Sequence, residues 1–165
     1  MNYWLTTQWP LEKTQSREWA LWLPADGRQR VGDALRTGDE VMIYESRSGR
    51  LRLDPRTGQP VPRFRGPASI IAGIRLTGPL TERAAARTHN YDDGSQIRWA
   101  FRADGRLILR DGFVRRRLVN QTLGYKENYN LHGFGDQHSG LKRLTVAQYR
   151  TLLAAYIESG GIQLD

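Results

Sequence analysis

Apolar residues in this chain come in short runs separated by turn residues, and most of the runs have strand character. Tyr3-Trp4-Leu5-Thr6-Thr7 is aromatic and β-branched, which predicts a strand closed by Trp9-Pro10. Residues 11–18 are polar and charged, a loop or helical turn. Trp19-Ala20-Leu21-Trp22-Leu23-Pro24 follows, ahead of a glycine turn at Asp26-Gly27. After a short helix or turn ending at Val31-Gly32-Asp33-Ala34-Leu35, Thr37-Gly38-Asp39-Glu40 leads into Val41-Met42-Ile43-Tyr44. That unbroken apolar run predicts burial on both faces.

Ala68 to Leu76 predicts a further strand, ended by Gly78-Pro79. Residues 80–95 predict a brief helix around Ala84-Ala85-Ala86 and then a polar loop. Gln96 to Arg102 alternates apolar and polar, and Ala103-Asp104-Gly105-Arg106 is expected to turn it back into Leu107 to Arg110 as a hairpin. Near the end, Thr145 is placed to cap a helix carrying Val146, Tyr149, Leu152, Leu153 and Tyr156 at helical spacing, stopped by Gly160-Gly161. Short strands, many turns and one clear helix predict an α+β domain: a small curved, mostly antiparallel sheet or barrel carrying helices. At 165 residues the whole chain, 1–165, is expected to form one domain.

Between Arg47 and Gly66 the periodicity dissolves into a Pro/Gly/Arg-rich loop, a pattern that is either functional or disordered. The formal net charge is +8, and of 25 basic residues only Lys13, Lys126 and Lys142 are lysines, leaving 22 arginines. Arginine grips phosphate bidentately and stacks on bases, although codon usage also inflates it. A partner with a phosphate backbone is the leading inference. The first loop supplies Arg47, Arg50, Arg52, Arg63 and Arg65; Arg115, Arg116, Arg117 and Lys142 supply further backbone contacts. The bland alternatives are a disordered insert and a solvated face.

The chain has no cysteine, which excludes disulfides, thiolate catalysis and Cys-ligated zinc. Neither a leader segment nor a membrane-length apolar run is visible, so a soluble, cytoplasmic protein without membrane contact is expected. Trp19 and Trp22, beside a turn, suit the wall of a pocket for something flat such as a nucleobase; core packing is the commoner use. On a strand they point to opposite faces, so only one lines the pocket. Trp9, Tyr44 and Trp99 are further wall candidates, with plain core as the alternative for Tyr44. Glu45, Ser46, Asn128 and Asn130 are the candidate polar readers of a base edge. His132, Asp136 and His138 suggest a metal nuclease, but glycines at 133, 135 and 140 break the helix on which such a site places its last ligand. No nucleophile–base pair and no phosphate-cradling motif is present, so no catalytic residue, cofactor or metal is expected.

These residues resemble the EVE family of the PUA-like superfamily, relatives of the YTH readers. Tyr3-Trp4-Leu5 is similar to the opening strand of EVE domains, and Gly38-Asp39-Glu40-Val41-Met42-Ile43-Tyr44-Glu45-Ser46 to their Gly-Asp-x-Val-hydrophobic-hydrophobic-Tyr strand. Gly73-Ile74 and Leu76-Thr77-Gly78 resemble the next strand. Trp9-Pro10 falls where the family has Glu-Pro, so the Glu is missing. Trp19-Ala20 resembles the YTH segment whose Trp belongs to the aromatic cage. The likeness covers most of residues 1–110. The stretch from Gly133 to Leu144 is similar to bacterial EVE modules attached to HNH nucleases.

The resemblance implies a PUA-like curved barrel with flanking helices and a C-terminal helix. It further implies a non-enzymatic reader that flips a modified base, 5-methylcytosine or a 5-substituted relative in double-stranded DNA, into an aromatic pocket. Such a module would serve a restriction or defence system, with cleavage left to a nuclease domain or subunit. A reader of modified RNA is the physical near-equivalent. A methyl group offers only about 0.8 kcal/mol of burial, roughly a fourfold preference, so stronger discrimination requires a snug fit.

Overall fold

The structure is a computed structural model that describes residues 1–25, 34–131 and 140–165, with Ala86 described by its backbone alone. The described strands are β1 (Tyr3–Gln8), β2 (Ala20–Pro24), β3 (Glu40–Glu45), β4 (Ser69–Leu76), β5 (Thr81–Asn90), β6 (Gln96–Arg110), β7 (Val114–Arg115), β8 (Leu141–Leu144) and β9 (Ile162–Gln163). Two helices among the described residues, α1 (Arg116–Leu123) and α2 (Val146–Glu158), join them. The strands form one mixed sheet in the order β2-β6-β4-β3-β1-β8, with β5 and β9 on β6 and β7 on β4. Within the described residues only β1 and β3 run parallel. The sheet curls into a half-barrel carrying the two helices, an α+β architecture.

Side-chain alternation along β3 explains why all six of its residues are buried. Met42 and Tyr44 face the helices and pack with Leu5, Val119, Leu152 and Tyr156. Val41 and Ile43 face into the curl and pack with Trp4, Leu21, Leu23 and Ile74. Both faces are therefore covered, as the unbroken apolar run predicts.

The expected hairpin at residues 103–106 does not form. β6 runs straight through as a single strand of 15 residues. Its first half pairs with β2 and β5, its second half with β4 and β9, so one strand belongs to both walls of the curl. Gly105 is needed there for closeness rather than for turning: a Cβ on it would stand 2.7 Å from Ile74 Cδ1. The hairpin in this region lies one step earlier. Between β5 and β6, Tyr91 N–H donates to Ser95 O, Gly94 takes a positive φ of 81°, and Asp93 accepts from Ser95. Ala84-Ala85-Ala86, expected as helix, lies instead within strand β5, in the irregular stretch between the Glu82–Phe101 and Arg87–Trp99 pairs; the flanking pairs to β6 hold it extended against its helix propensity.

Thr145 caps α2 through a capping box with Gln148, as expected. α1 is a second helix, which the sequence left unassigned. The arginine loop contains no strand, but isolated bridges fasten it: Arg52 to Tyr91, Leu53 to Pro60, and Arg63 to Glu12. It is an ordered wall rather than a loose insert. No helix of the described residues is long and apolar enough to cross a membrane.

Candidate functional site

Where β1 ends, the chain opens a cavity of about 580 Å³, within the rough 300–1,000 Å³ range of small-ligand pockets. Its aromatic lining comes from four places in the sequence: Trp9 after β1, Trp22 on β2, Trp99 on β6 and Tyr91 in the β5–β6 turn. Trp22 stands on the outer face of β2, between the buried Leu21 and Leu23. The Trp9 ring meets Tyr91 edge-on at 5.3 Å and Trp99 at 6.4 Å. Trp99 Nε1 donates to the Tyr91 hydroxyl at 2.8 Å, which fixes the corner between them.

Guanidinium groups border these rings. Arg63 lies 5.4 Å and Arg50 5.9 Å from the Trp9 centroid. Beneath them Glu12, 8 % exposed, accepts both arms of Arg52 at 2.9 Å and sits 3.6 Å from Arg63. The hydrogen bond from Arg52 holds the Glu12 carboxyl below the usual glutamate range, against the opposing effect of burial. His89, also in the lining, is pushed below the ordinary histidine value by burial and then by the charge of Arg52, so it is neutral at pH 7. Arg17 completes the rim and donates to Glu45 at 2.7 Å. The cavity thus combines flat apolar walls, cations at its edge and a neutral imidazole, a set suited to a planar ligand attached to an anion.

Of the residues singled out from the sequence, Trp9, Trp22, Trp99, Arg50 and Arg63 come together here. Trp19 does not line the cavity; half-buried, it packs against the inner core, with Arg17 5.6 Å from its ring. Trp19, just before β2, and Trp22, on its outer face, thus project to opposite sides. Tyr44 belongs to the core under the helices. Burial raises the pKa of its hydroxyl, and the charges opposing that rise are Arg116 and Arg47. Glu45 is buried and engaged by Arg17. Buried Ser46 donates to the carbonyl of Ser48 at 2.8 Å, clamping the start of the arginine loop.

Asn128 lies away from the cavity, at a second concavity with Arg47, Arg115, Arg116 and Arg117. Asn130 is exposed on the loop after α1, outside the cavity lining. Arg52 is committed to Glu12, and Arg65 is exposed outside both concavities. Lys142, on β8, stands 5.6 Å from the Tyr125 ring. His132, Asp136 and His138 lie outside the described residues, among which no cluster of three His, Cys, Asp or Glu is arranged for a metal.

Sequence reading missed Glu12, Arg17, His89 and Tyr91. Each stands alone in a polar stretch, and only the Asp93-Gly94 turn signal beside Tyr91 hinted that a strand end would present it.

No family model matches the chain, and no curated protein does. Two solved structures are similar to it along nearly its full length. One is an NMR structure of a Rhodopseudomonas palustris protein, 11 % identical, covering 96 % of this chain and 94 % of its own, with a TM-score of 0.50. The other is an X-ray crystal structure of an Agrobacterium tumefaciens protein, 13 % identical, covering 94 % of this chain and 93 % of its own, with a TM-score of 0.44. At such identities the likeness to the first is one of fold: a curled half-barrel of mixed sheet with helices.

Proposed function

We propose that this chain is a non-enzymatic, PUA-like reader of the EVE type, which takes an everted modified base, 5-methylcytosine or a 5-substituted relative in DNA, into the aromatic cavity. The observation that carries this reading is the meeting of Trp9, Trp22, Trp99 and Tyr91 in one cavity with Arg50 and Arg63 beside it. Everting a base costs a few kcal/mol. Stacking returns about 1–3 kcal/mol per base, and phosphate contacts supply the remaining affinity. The sequence likeness to EVE domains at Tyr3-Trp4-Leu5 and Gly38 to Ser46 supports the same assignment. On this reading cleavage belongs to a nuclease domain or subunit acting with the module, in a restriction or defence setting.

The test is a binding panel of matched oligonucleotides carrying cytosine, 5-methylcytosine, 5-hydroxymethylcytosine or N6-methyladenine, as DNA and as RNA. A preference for 5-substituted cytosine in DNA, lost in Trp99→Ala, is expected. Equal affinity across the panel would overturn the reading, and preference for an RNA mark would move it to RNA.

A further inference from the structure

A second concavity, about 710 Å³ and open to solvent, adjoins the same end of the sheet as the aromatic cavity. The strand register runs across that end from Gln8 to Glu45, Ser69 and Arg115. Three strand spacings of about 4.8 Å put Arg115 roughly 14 Å from Gln8. One chain of nucleotides can therefore reach both places.

Phe113 is the unusual residue here. It is 44 % exposed, lines the concavity and has the Arg115 guanidinium 5.6 Å from its ring centroid. Its backbone is anchored on both sides, because its N–H donates to Ser159 Oγ at 2.8 Å and Val114 packs into the core. The ring is thus held out in water by a rigid support. Around it stand four arginines. Arg117 is answered by Glu127 at 3.0 Å. Arg47, Arg115 and Arg116 line the same concavity without an acidic partner among the described residues. Like charges gathered in one hollow repel one another until an anion sits between them. A flat apolar face beside unanswered guanidinium groups suits a base joined to a phosphate.

We propose that this concavity is a second nucleotide subsite, in which an unpaired base stacks on Phe113 while Arg47, Arg115 and Arg116 hold the adjoining phosphates. It reads no modification, and it works whether or not the aromatic cavity is filled. Its ligand is a single-stranded segment, since a paired base cannot lay its face on the ring.

The experiment titrates the full chain with labelled, unmodified oligothymidylate and with a plain duplex of the same length. Phe113→Ala should weaken single-strand binding about 5- to 150-fold, the loss of about 1–3 kcal/mol of stacking. Duplex affinity should stay within about twofold. Phe113→Leu, which keeps apolar volume without the flat face, should behave in the same way and guards against a folding artefact. Arg115→Gln should weaken both ligands and flatten the salt dependence. Unchanged single-strand affinity in both Phe113 variants overturns the proposal, as does equal loss on strand and duplex. Thymidine 5′-monophosphate competing fully, with affinity independent of oligonucleotide length, would assign the hollow to a free nucleotide and overturn the strand reading. The outcome is separable from the reader proposal. A Phe113 effect without any preference for modified bases sinks only that proposal, and the converse sinks only this one.

Discussion

The backbone at Gly49 presses directly on the Trp9 indole: a Cβ placed on Gly49 would stand 2.3 Å from Trp9 Cγ. The arginine loop is thereby seated on the first wall of the cavity, and the fit leaves no room for a methyl group. Gly49→Ala must displace either the loop or the ring. Overpacking of this kind costs about 1–3 kcal/mol. The variant should unfold at lower urea concentration and bind the preferred oligonucleotide more weakly, both measurable on one preparation.

Trp19 and Trp22 should separate stability from binding. Trp22 is 38 % exposed in the cavity, so Trp22→Ala should change unfolding free energy by no more than about 0.5–1 kcal/mol while reducing discrimination between modified and plain bases. Trp19 packs against the inner core, so Trp19→Ala should lower stability by more, about 1–3 kcal/mol, and leave the discrimination ratio intact. Chemical denaturation beside the binding panel distinguishes the two; the opposite assignment of effects would exchange their roles.

Tyr91→Phe tests the corner of the cavity. The substitution keeps the buried ring and removes the acceptor for Trp99 Nε1. Leaving a partly buried donor unpaired costs about 1–3 kcal/mol. A fall in the urea midpoint is expected, with a matching loss of affinity as the Trp99 ring loses its anchor. No change in either would mean that water replaces the phenol at no cost.

Glu12 makes stability depend on pH in a definite direction. Its folded-state pKa lies below the ordinary value of 4.5, chiefly through the hydrogen bond from Arg52. The native carboxyl therefore binds fewer protons than the unfolded one in acid, so its stabilisation is complete above that ordinary value and is lost as pH falls through the folded one. Between about pH 5 and about pH 3 the wild-type melting temperature should fall more steeply than that of Glu12→Gln. Parallel curves would show that the Arg52 pair contributes nothing to acid sensitivity.

The periodic segments were the legible ones. β1, β2, β3 and β4 fall where apolar runs sit between turn residues, and the Thr145 cap and its helix follow from side chains three and four residues apart. Side-chain alternation and helix caps are local matters, decided by neighbours along the chain. Trp22 belongs here as well, because alternation along β2 turns it away from the buried Leu21 and Leu23.

What the tertiary structure decided is every relationship that crosses the curl. Asp104-Gly105 carries a turn signal, yet β6 passes through it because β4 approaches closely enough to need a glycine. Ala84 and Ala85 are good helix formers held extended by the β6 pairs on either side of them, Glu82 with Phe101 and Arg87 with Trp99. The cavity itself joins Trp9, Trp22, Tyr91 and Trp99, which no sequence spacing relates. Composition announced the arginines, but only the packed chain separates Arg52, spent on Glu12, from Arg47, Arg115 and Arg116, which are left facing one open hollow. Local propensity acts over a few residues, whereas the contacts that close this half-barrel join residues tens of positions apart, and it is those contacts that determine which charges and rings meet.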